Sequence, residues 1–169
     1  MTTYYIKSDK KPNAVSGTLT ADIQTFGLFN GVATRFITNG KQVTLRATHK
    51  LNETEENSIN FTFPATIENK RYEFLKGGPV QPPTFAQEWE DECGGHWYRP
   101  HSSKEDAGYV EFNFDIENGT LNAKFHFTVL ENPTGDELLV AGEVKDFKGL
   151  EHINCSLVQD EPRKPFIKS

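Results

Sequence analysis

The sequence has little methionine, little cysteine and no long apolar run, and each shortage excludes a class of protein. One methionine and two cysteines among 169 residues exclude a disulfide-dense scaffold, and a chain of this length can bury a core without such crosslinks. No stretch approaches the ~20 apolar residues of a membrane-spanning helix. The first eleven residues also lack the apolar segment of a secretory signal. We therefore expect a cytoplasmic protein without a membrane span.

Clusters of basic residues are absent as well. The chain carries 18 basic and 24 acidic side chains, which gives a net charge of −6. Because nucleic-acid binding generally needs a basic surface, we expect no nucleic-acid partner. The residues that are abundant point elsewhere: thirteen phenylalanines favour pleated sheets over helix bundles, since bulky aromatic side chains pack well on strands.

The clearest pattern predicts an antiparallel meander from Tyr109 to Asp146. Apolar and polar residues alternate on both sides of Asn118-Gly119, a dipeptide typical of two-residue hairpin turns. Folding the chain at this turn places Phe112 opposite Phe125, and every apolar residue then meets another on the same face. A slip of one residue would destroy that match, so we expect the register to be well specified.

A second turn extends the meander by a third strand. If residues 132–135 form a four-residue turn, Gly142 lies opposite Phe125, where a large ring needs a small neighbour. On the other face, Glu143 then lies opposite Lys124. The two turns are independent, yet they predict the same buried face.

The first half of the chain repeats this alternation. A strand is predicted over 15–23, and Asn39-Gly40 predicts a second hairpin that places Phe36 opposite Val43. The remaining strands are predicted at 58–63, 71–75 and 152–158. The whole chain, 1–169, is thus predicted to be one all-β domain of eight or nine strands with a frayed tail at 160–169. An antiparallel β-sandwich is the favoured architecture, and a closed β-barrel is the alternative.

Residues 76–106 depart from this pattern and are interpreted as a long insertion, of a length that often has a function. Phe85, Trp89 and Cys93 are spaced by four residues, which predicts one apolar stripe on a short helix over 85–93. Thr84 followed by Gln87 resembles a capping box, and two glycines after Cys93 would end the helix.

The insertion also contains the candidate binding residues. Aromatic rings stack on sugars or fill partner pockets, and Trp, Tyr and Arg dominate protein interfaces. The alternative is that one or both tryptophans only cover the end of the core. The predicted site for a glycan or protein partner comprises Trp89, His96, Trp97, Tyr98, Arg99 and His101.

Weaker patterns suggest metal binding or catalysis. Cys93, His96 and His101 could form part of a zinc site, but a fourth ligand is not evident. The same Cys and His could serve as nucleophile and base. Two groups of polar residues could also carry chemistry, although a solvated surface is the favoured interpretation of the first and is sufficient to explain the second: Glu88, Glu90, Asp91 and Glu92 in the insertion, and Glu111, Lys124, His126 and Glu143 on the solvent-exposed face of the meander.

Three functional hypotheses follow. The first is a non-catalytic binding module that uses the aromatic insertion, without a cofactor. The alternatives are a small enzyme that depends on Cys and His or on carboxylates, and a β-barrel that carries an apolar ligand among its phenylalanines. Cys93 and Cys155 would be buried thiols in a reducing compartment and could pair after export. The sequence does not predict the oligomeric state.

Overall fold

The computed structural model describes residues 14–153, and every regular element in that range is a strand. Within the same range, no helix is long and apolar enough to cross a membrane. Cys155, most of the predicted strand 152–158 and the tail 160–169 lie outside the described residues. The strands are β1 (Ser16–Ile23), β2 (Gly27–Thr38), β3 (Gln42–Lys50), β4 (Glu55–Pro64), β5 (Arg71–Glu73), β6 (Thr84–Glu90), β7 (His96–Ser103), β8 (Tyr109–Asp115), β9 (Thr120–Leu130), β10 (Glu137–Lys148) and β11 (Glu151–His152).

The strands join into one sheet that folds over on itself. Its order is β10-β1-β2-β3-β4-β6-β7-β9-β8-β5, and β11 pairs with β2. Because β9 also pairs with β10, the hydrogen-bonded neighbours lead from β10 through β1 and β7 back to β10. All pairs are antiparallel except that of β11 with β2. The predicted all-β, antiparallel architecture is confirmed, and the arrangement is sandwich-like.

Phenylalanine rings fill the space between the two halves of the sheet. Phe61 of β4 stacks on Phe112 of β8 with ring centroids 5.8 Å apart, and Phe36 of β2 meets Phe147 of β10 edge to face at 5.7 Å. Burial of each such ring stabilises the fold by roughly 1.5–3 kcal/mol. The phenylalanines exposed by less than 2% are Phe29, Phe36, Phe63, Phe74, Phe85, Phe125, Phe127 and Phe147. These rings are therefore almost completely removed from solvent.

The predicted register of the third meander strand is confirmed. Gly142 pairs with Phe125 and Glu143 pairs with Lys124. A Cβ atom on Gly142 would lie 2.9 Å from Cζ of Phe125 and 2.5 Å from the carbonyl oxygen of Thr20. The glycine is therefore required by the ring across from it and by the neighbouring strand.

The Asn118-Gly119 hairpin has the predicted faces but a register shifted by two residues, and the Asn39-Gly40 hairpin has the same shift next to its turn. Phe112 pairs with Ala123 rather than Phe125, and Phe36 pairs with Leu45 rather than Val43. The loops are longer than two residues because side chains close them. Farther along β2, an irregularity between Ala33 and Arg35 changes the register, so that Val32 pairs with Thr48 and is 58% exposed instead of sharing the buried face of Phe36.

In the Asn39-Gly40 hairpin, the Asn39 carboxamide oxygen accepts hydrogen bonds from the backbone N–H groups of Lys41 and Gln42, at 2.9 and 2.8 Å. In the Asn118-Gly119 hairpin, the Asp115 carboxylate accepts a hydrogen bond from the backbone N–H of Asn118 at 3.0 Å. Side-chain bonds of this kind replace the tight backbone turn that the dipeptide predicts.

The predicted helix over 85–93 is wrong, because the segment forms the antiparallel hairpin of β6 and β7. Residues four apart share a face in a strand as well as in a helix, so the spacing of Phe85 and Trp89 does not distinguish the two. The insertion 76–106 is accordingly part of the sheet: β6 pairs with β4, and β7 pairs with β9.

The fit around Gly142 gives the first prediction. Gly142→Ala should lower the free energy of unfolding by about 1–3 kcal/mol, because the added methyl group meets backbone and ring atoms that cannot move aside. Urea denaturation measures the change. Leu139→Ala on the same strand is the control, since Leu139 is 65% exposed and its truncation should cost less than about 0.5 kcal/mol. A Gly142→Ala variant as stable as the wild type would contradict the packing argument.

Candidate functional site

The hairpin of β6 and β7 presents one face that runs from the core to the solvent. Alternate residues of paired strands share a face, and β4, β6 and β7 lie side by side. From the hairpin tip inward, the rows on this face are Glu55–Trp89–Trp97, Asn57–Gln87–Arg99 and Ile59–Phe85–His101. The innermost row is buried, whereas Trp97 is 52% exposed. We call Trp89, Trp97 and Arg99 the aromatic face.

The aromatic face is a stack of three flat groups. The rings of Trp89 and Trp97 are nearly parallel, with an interplanar angle of 12° and centroids 6.4 Å apart. The guanidinium carbon of Arg99 lies 5.0 Å from the centre of the Trp89 ring, within the range of a cation–π interaction. Trp89 therefore contacts both Arg99 and Trp97.

Asp91 fixes the orientation of Trp97. Its Oδ2 atom accepts a hydrogen bond of 2.7 Å from the indole Nε1 of Trp97, while Oδ1 accepts bonds from the backbone N–H groups of Cys93 and Gly95 at 3.0 and 2.7 Å. These bonds hold the pKa of Asp91 below its ordinary value, with the Trp97 bond contributing most. A Cβ on Gly95 would lie 2.6 Å from Oδ2 of Asp91, so a side chain at this position would displace the carboxylate that bonds to Trp97.

His101 lies at the base of the hairpin and is 1% exposed. Its Nδ1 accepts a hydrogen bond from the backbone N–H of Asn132 at 3.0 Å, which requires a neutral ring with the proton on Nε2. Nε2 then donates to Oε1 of Gln87 at 2.9 Å. Burial, followed by the charge of Arg99, lowers the pKa of His101, and Glu131 opposes the shift. Both ring nitrogens are thus committed to protein groups beneath the surface.

The opposite face of the hairpin carries the other two predicted residues. Tyr98 is 55% exposed, and His96 is also exposed. Tyr98 pairs with Glu88, and Glu88 in turn pairs with Glu56 of β4. The site residues predicted from the sequence are therefore divided between two sides of the sheet.

Arg46 of β3 bridges the two carboxyl groups on that opposite face. Its Nη2 atom lies 3.0 Å from Oε2 of Glu88 and 3.9 Å from Oε1 of Glu56. A hydrogen bond with Glu88, followed by burial, raises the pKa of Glu56, and the Arg46 charge opposes this shift. Glu88 is thus engaged with a group from β4 and with Arg46, rather than with the acidic neighbours considered in the sequence.

The structure does not bring the candidate metal ligands together. Cys93 is exposed at the hairpin turn, which corrects the expectation of a buried thiol. His96 is exposed on the face opposite to His101, whose nitrogens are already occupied. Within residues 14–153, no cluster of three or more His, Cys, Asp or Glu side chains could hold a metal ion.

The solvent-exposed face of the meander forms a shallow open groove of about 530 Å³ along β9, β10 and β1. His126 lies in it and stacks on Tyr109 at 4.8 Å. The guanidinium carbon of Arg71 lies 3.5 Å from the centre of the Tyr109 ring. Tyr109 thus contacts both of the other side chains, and the neighbouring residues Glu143 and Lys124 lie opposite one another on adjacent strands.

Three residues that shape the site were missed in the sequence. Asp91 orients Trp97, Gln87 bonds to His101, and Glu55 completes the aromatic row. The alternation of Phe85, Gln87 and Trp89 was the signal for a strand, and Asp91 followed by two glycines was the signal for its turn. The position of Glu55 depends on β4, which is remote in sequence.

Comparisons with known proteins yield no match, whether to a family model, to a curated protein or to a solved structure.

The buried, neutral His101 predicts a loss of stability in acid. Its pKa is lowered in the folded protein from the ordinary value of 6.5, so the unfolded chain binds a proton that the folded chain does not. This residue therefore makes no pH-dependent contribution well above pH 6.5, and its protonation in the unfolded state destabilises the fold progressively as the pH falls below that value.

Unfolding of the wild type and His101→Gln, measured at about pH 7.5 and about pH 5, tests this linkage. The wild type should lose more free energy of unfolding than the variant over this interval. Should the variant fail to fold, an NMR titration of the imidazoles reports the pKa of His101 directly. Equal losses in the two proteins, or a pKa at or above 6.5, would contradict the assignment.

Proposed function

We propose that this protein is a non-catalytic binding module and that the aromatic face is its recognition surface. The observation that carries the proposal is the exposed Trp97, whose orientation is fixed by Trp89 on one side and by the Asp91 carboxylate at its indole nitrogen. An exposed tryptophan normally loses conformational freedom when a ligand orders it. Here the orientation of Trp97 is already fixed in the free protein, so binding loses little of this freedom and is favoured.

The base of the hairpin supports the same interpretation. Phe85 is stacked against the His101 ring at 5.3 Å, and Phe26 packs on Phe85 at 5.4 Å. These contacts belong to the core and hold the inner part of the hairpin. This row therefore covers the end of the core. Packing alone does not explain why Trp97 is exposed farther out on the hairpin. Surface tryptophans of this kind are common anchors in interfaces and on sugars.

The alternative hypotheses have less support. Catalysis by Cys93 would need a base in contact with it, and His96 and His101 lie on different faces of the sheet. Carriage of an apolar ligand among the phenylalanines would need a cavity. The core rings are packed against one another with almost no exposure.

Trp97→Ala tests the proposal, with Tyr98→Ala as a matched control. The two residues are neighbours on one strand and have similar exposures of 52% and 55%, but they point to opposite sides of the sheet. The wild-type protein is first screened on an array of neutral and acidic oligosaccharides and on an array of basic, acidic and apolar peptides. Hits are then titrated with both variants, and thermal unfolding verifies that each variant is folded.

Trp97→Ala should weaken binding of the hits by at least about tenfold, whereas Tyr98→Ala should change it by less than about twofold. Absence of any ligand for the wild type on both arrays would contradict the proposal. So would a ligand that Trp97→Ala binds normally or that only Tyr98→Ala loses.

A further inference from the structure

Negative charge is concentrated around the tip of the hairpin that carries the aromatic face. The backbone N–H of Glu90 donates to the carbonyl oxygen of Thr54 at 2.9 Å, so the turn before β4 lies beside the end of β6. Within 50–56 and 88–99, Lys50 and Arg99 are the only Lys or Arg residues. We call the carboxylates of these two segments the acidic rim: Glu53, Glu55, Glu56, Glu88, Glu90, Asp91 and Glu92.

Only part of the acidic rim is neutralised inside the molecule. Arg46 engages Glu56 and Glu88. Among the described residues, no basic side chain forms an ion pair with Glu53, Glu90 or Glu92. The pKa of Asp91 is held below its ordinary value, so this carboxylate next to Trp97 is charged at neutral pH. The field at the tip therefore favours a cation.

The stack itself shows what kind of group fits on these rings. Arg99 lies over the Trp89 ring, and the neighbouring ring of Trp97 is exposed. A second guanidinium or ammonium group on Trp97 would repeat the contact that Arg99 makes, close to Glu55 of the same row and to the Asp91 carboxylate that bonds to Trp97. Neutral sugars would make no use of these charges, and acidic glycans or anionic lipid surfaces would be repelled.

We infer that the aromatic face binds a lysine- or arginine-rich segment of a partner polypeptide, whose cationic side chain stacks on Trp97 while the acidic rim neutralises its charge. This inference rests on the proposed function and specifies the partner. Because the attraction is largely electrostatic at an exposed surface, the affinity should depend strongly on salt concentration.

A labelled peptide of alternating arginine and glycine is the probe. The chain has only two tryptophans, so a ¹⁵N spectrum resolves two indole signals, and Trp97→Ala assigns them. Addition of the peptide should shift the Trp97 signal until saturation. Fluorescence anisotropy should show an affinity that falls at least about fivefold between low and moderately high salt. The corresponding peptide of glutamate and glycine should not bind.

Charge variants separate a specific site from general attraction to an acidic protein. Glu53→Gln/Glu92→Gln removes two charges from the acidic rim. Glu105→Gln/Glu117→Gln removes the same charge from other exposed positions and serves as the control. The rim pair and Trp97→Ala should each weaken peptide binding at least about threefold, and the control pair should leave it nearly unchanged.

The outcomes distinguish this inference from the proposed function. A neutral chitin hexasaccharide that shifts the Trp97 signal, in place of the basic peptide, would overturn the inference and leave the binding module intact. Equal weakening by both charge pairs, or normal peptide binding by Trp97→Ala, would show general attraction and also overturn it. A Trp97 signal that responds to neither probe would also overturn the inference. The proposed function is decided separately, by the array results with Trp97→Ala.

Discussion

The hydrogen bonds of His101 connect the β6–β7 hairpin to the loop that follows β9, and together with the pairing of β6 with β4 they place the aromatic face. The direct pairing of β7 with β9 involves only Ser102 and Ser103, so it is short. A neutral imidazole can accept from the Asn132 backbone and donate to Gln87 at the same time, and it stacks on Phe85 as well. Few side chains could satisfy all three neighbours at one buried position.

The sequence predicts the faces of this fold better than its registers. Alternation has a period of two, so a shift of two residues leaves every side chain on its original face. For this reason the Asn118-Gly119 hairpin was predicted with the correct buried face and the wrong partners. In the Asn39-Gly40 hairpin, the irregularity between Ala33 and Arg35 also moves Val32 to the exposed side, which alternation alone does not predict. The dipeptide locates the turn, but the side-chain hydrogen bonds of Asn39 and Asp115 determine the length of the loop. Gly142 was predicted with its correct partner because a four-residue turn at 132–135 sets the true offset between β9 and β10.

The hairpin was missed because its apolar spacing has two interpretations. Phe85 and Trp89 share a face in a helix and in a strand, and only the residues between them separate the two structures. The sequence could single out these aromatic residues as candidates, since their side chains are unusual on a polar segment. Their division between two faces could not, because a helix and a strand place Trp97 and Tyr98 differently relative to Trp89. The role of Glu55 requires the tertiary pairing of β4 with β6.

Charge crowding at the hairpin tip connects stability with function. Like charges on neighbouring strands destabilise a sheet, and Glu56 and Glu88 lie directly opposite one another. Arg46 offsets part of that repulsion, while a hydrogen bond with Glu88, followed by burial, raises the pKa of Glu56. On the other face of the hairpin, Glu55 lies in the row of Trp89 and Trp97, and Asp91 bonds to Trp97. A cationic partner of the kind we propose would bind next to these two carboxylates, and because it would bind only the folded hairpin, it would stabilise the strands that carry them.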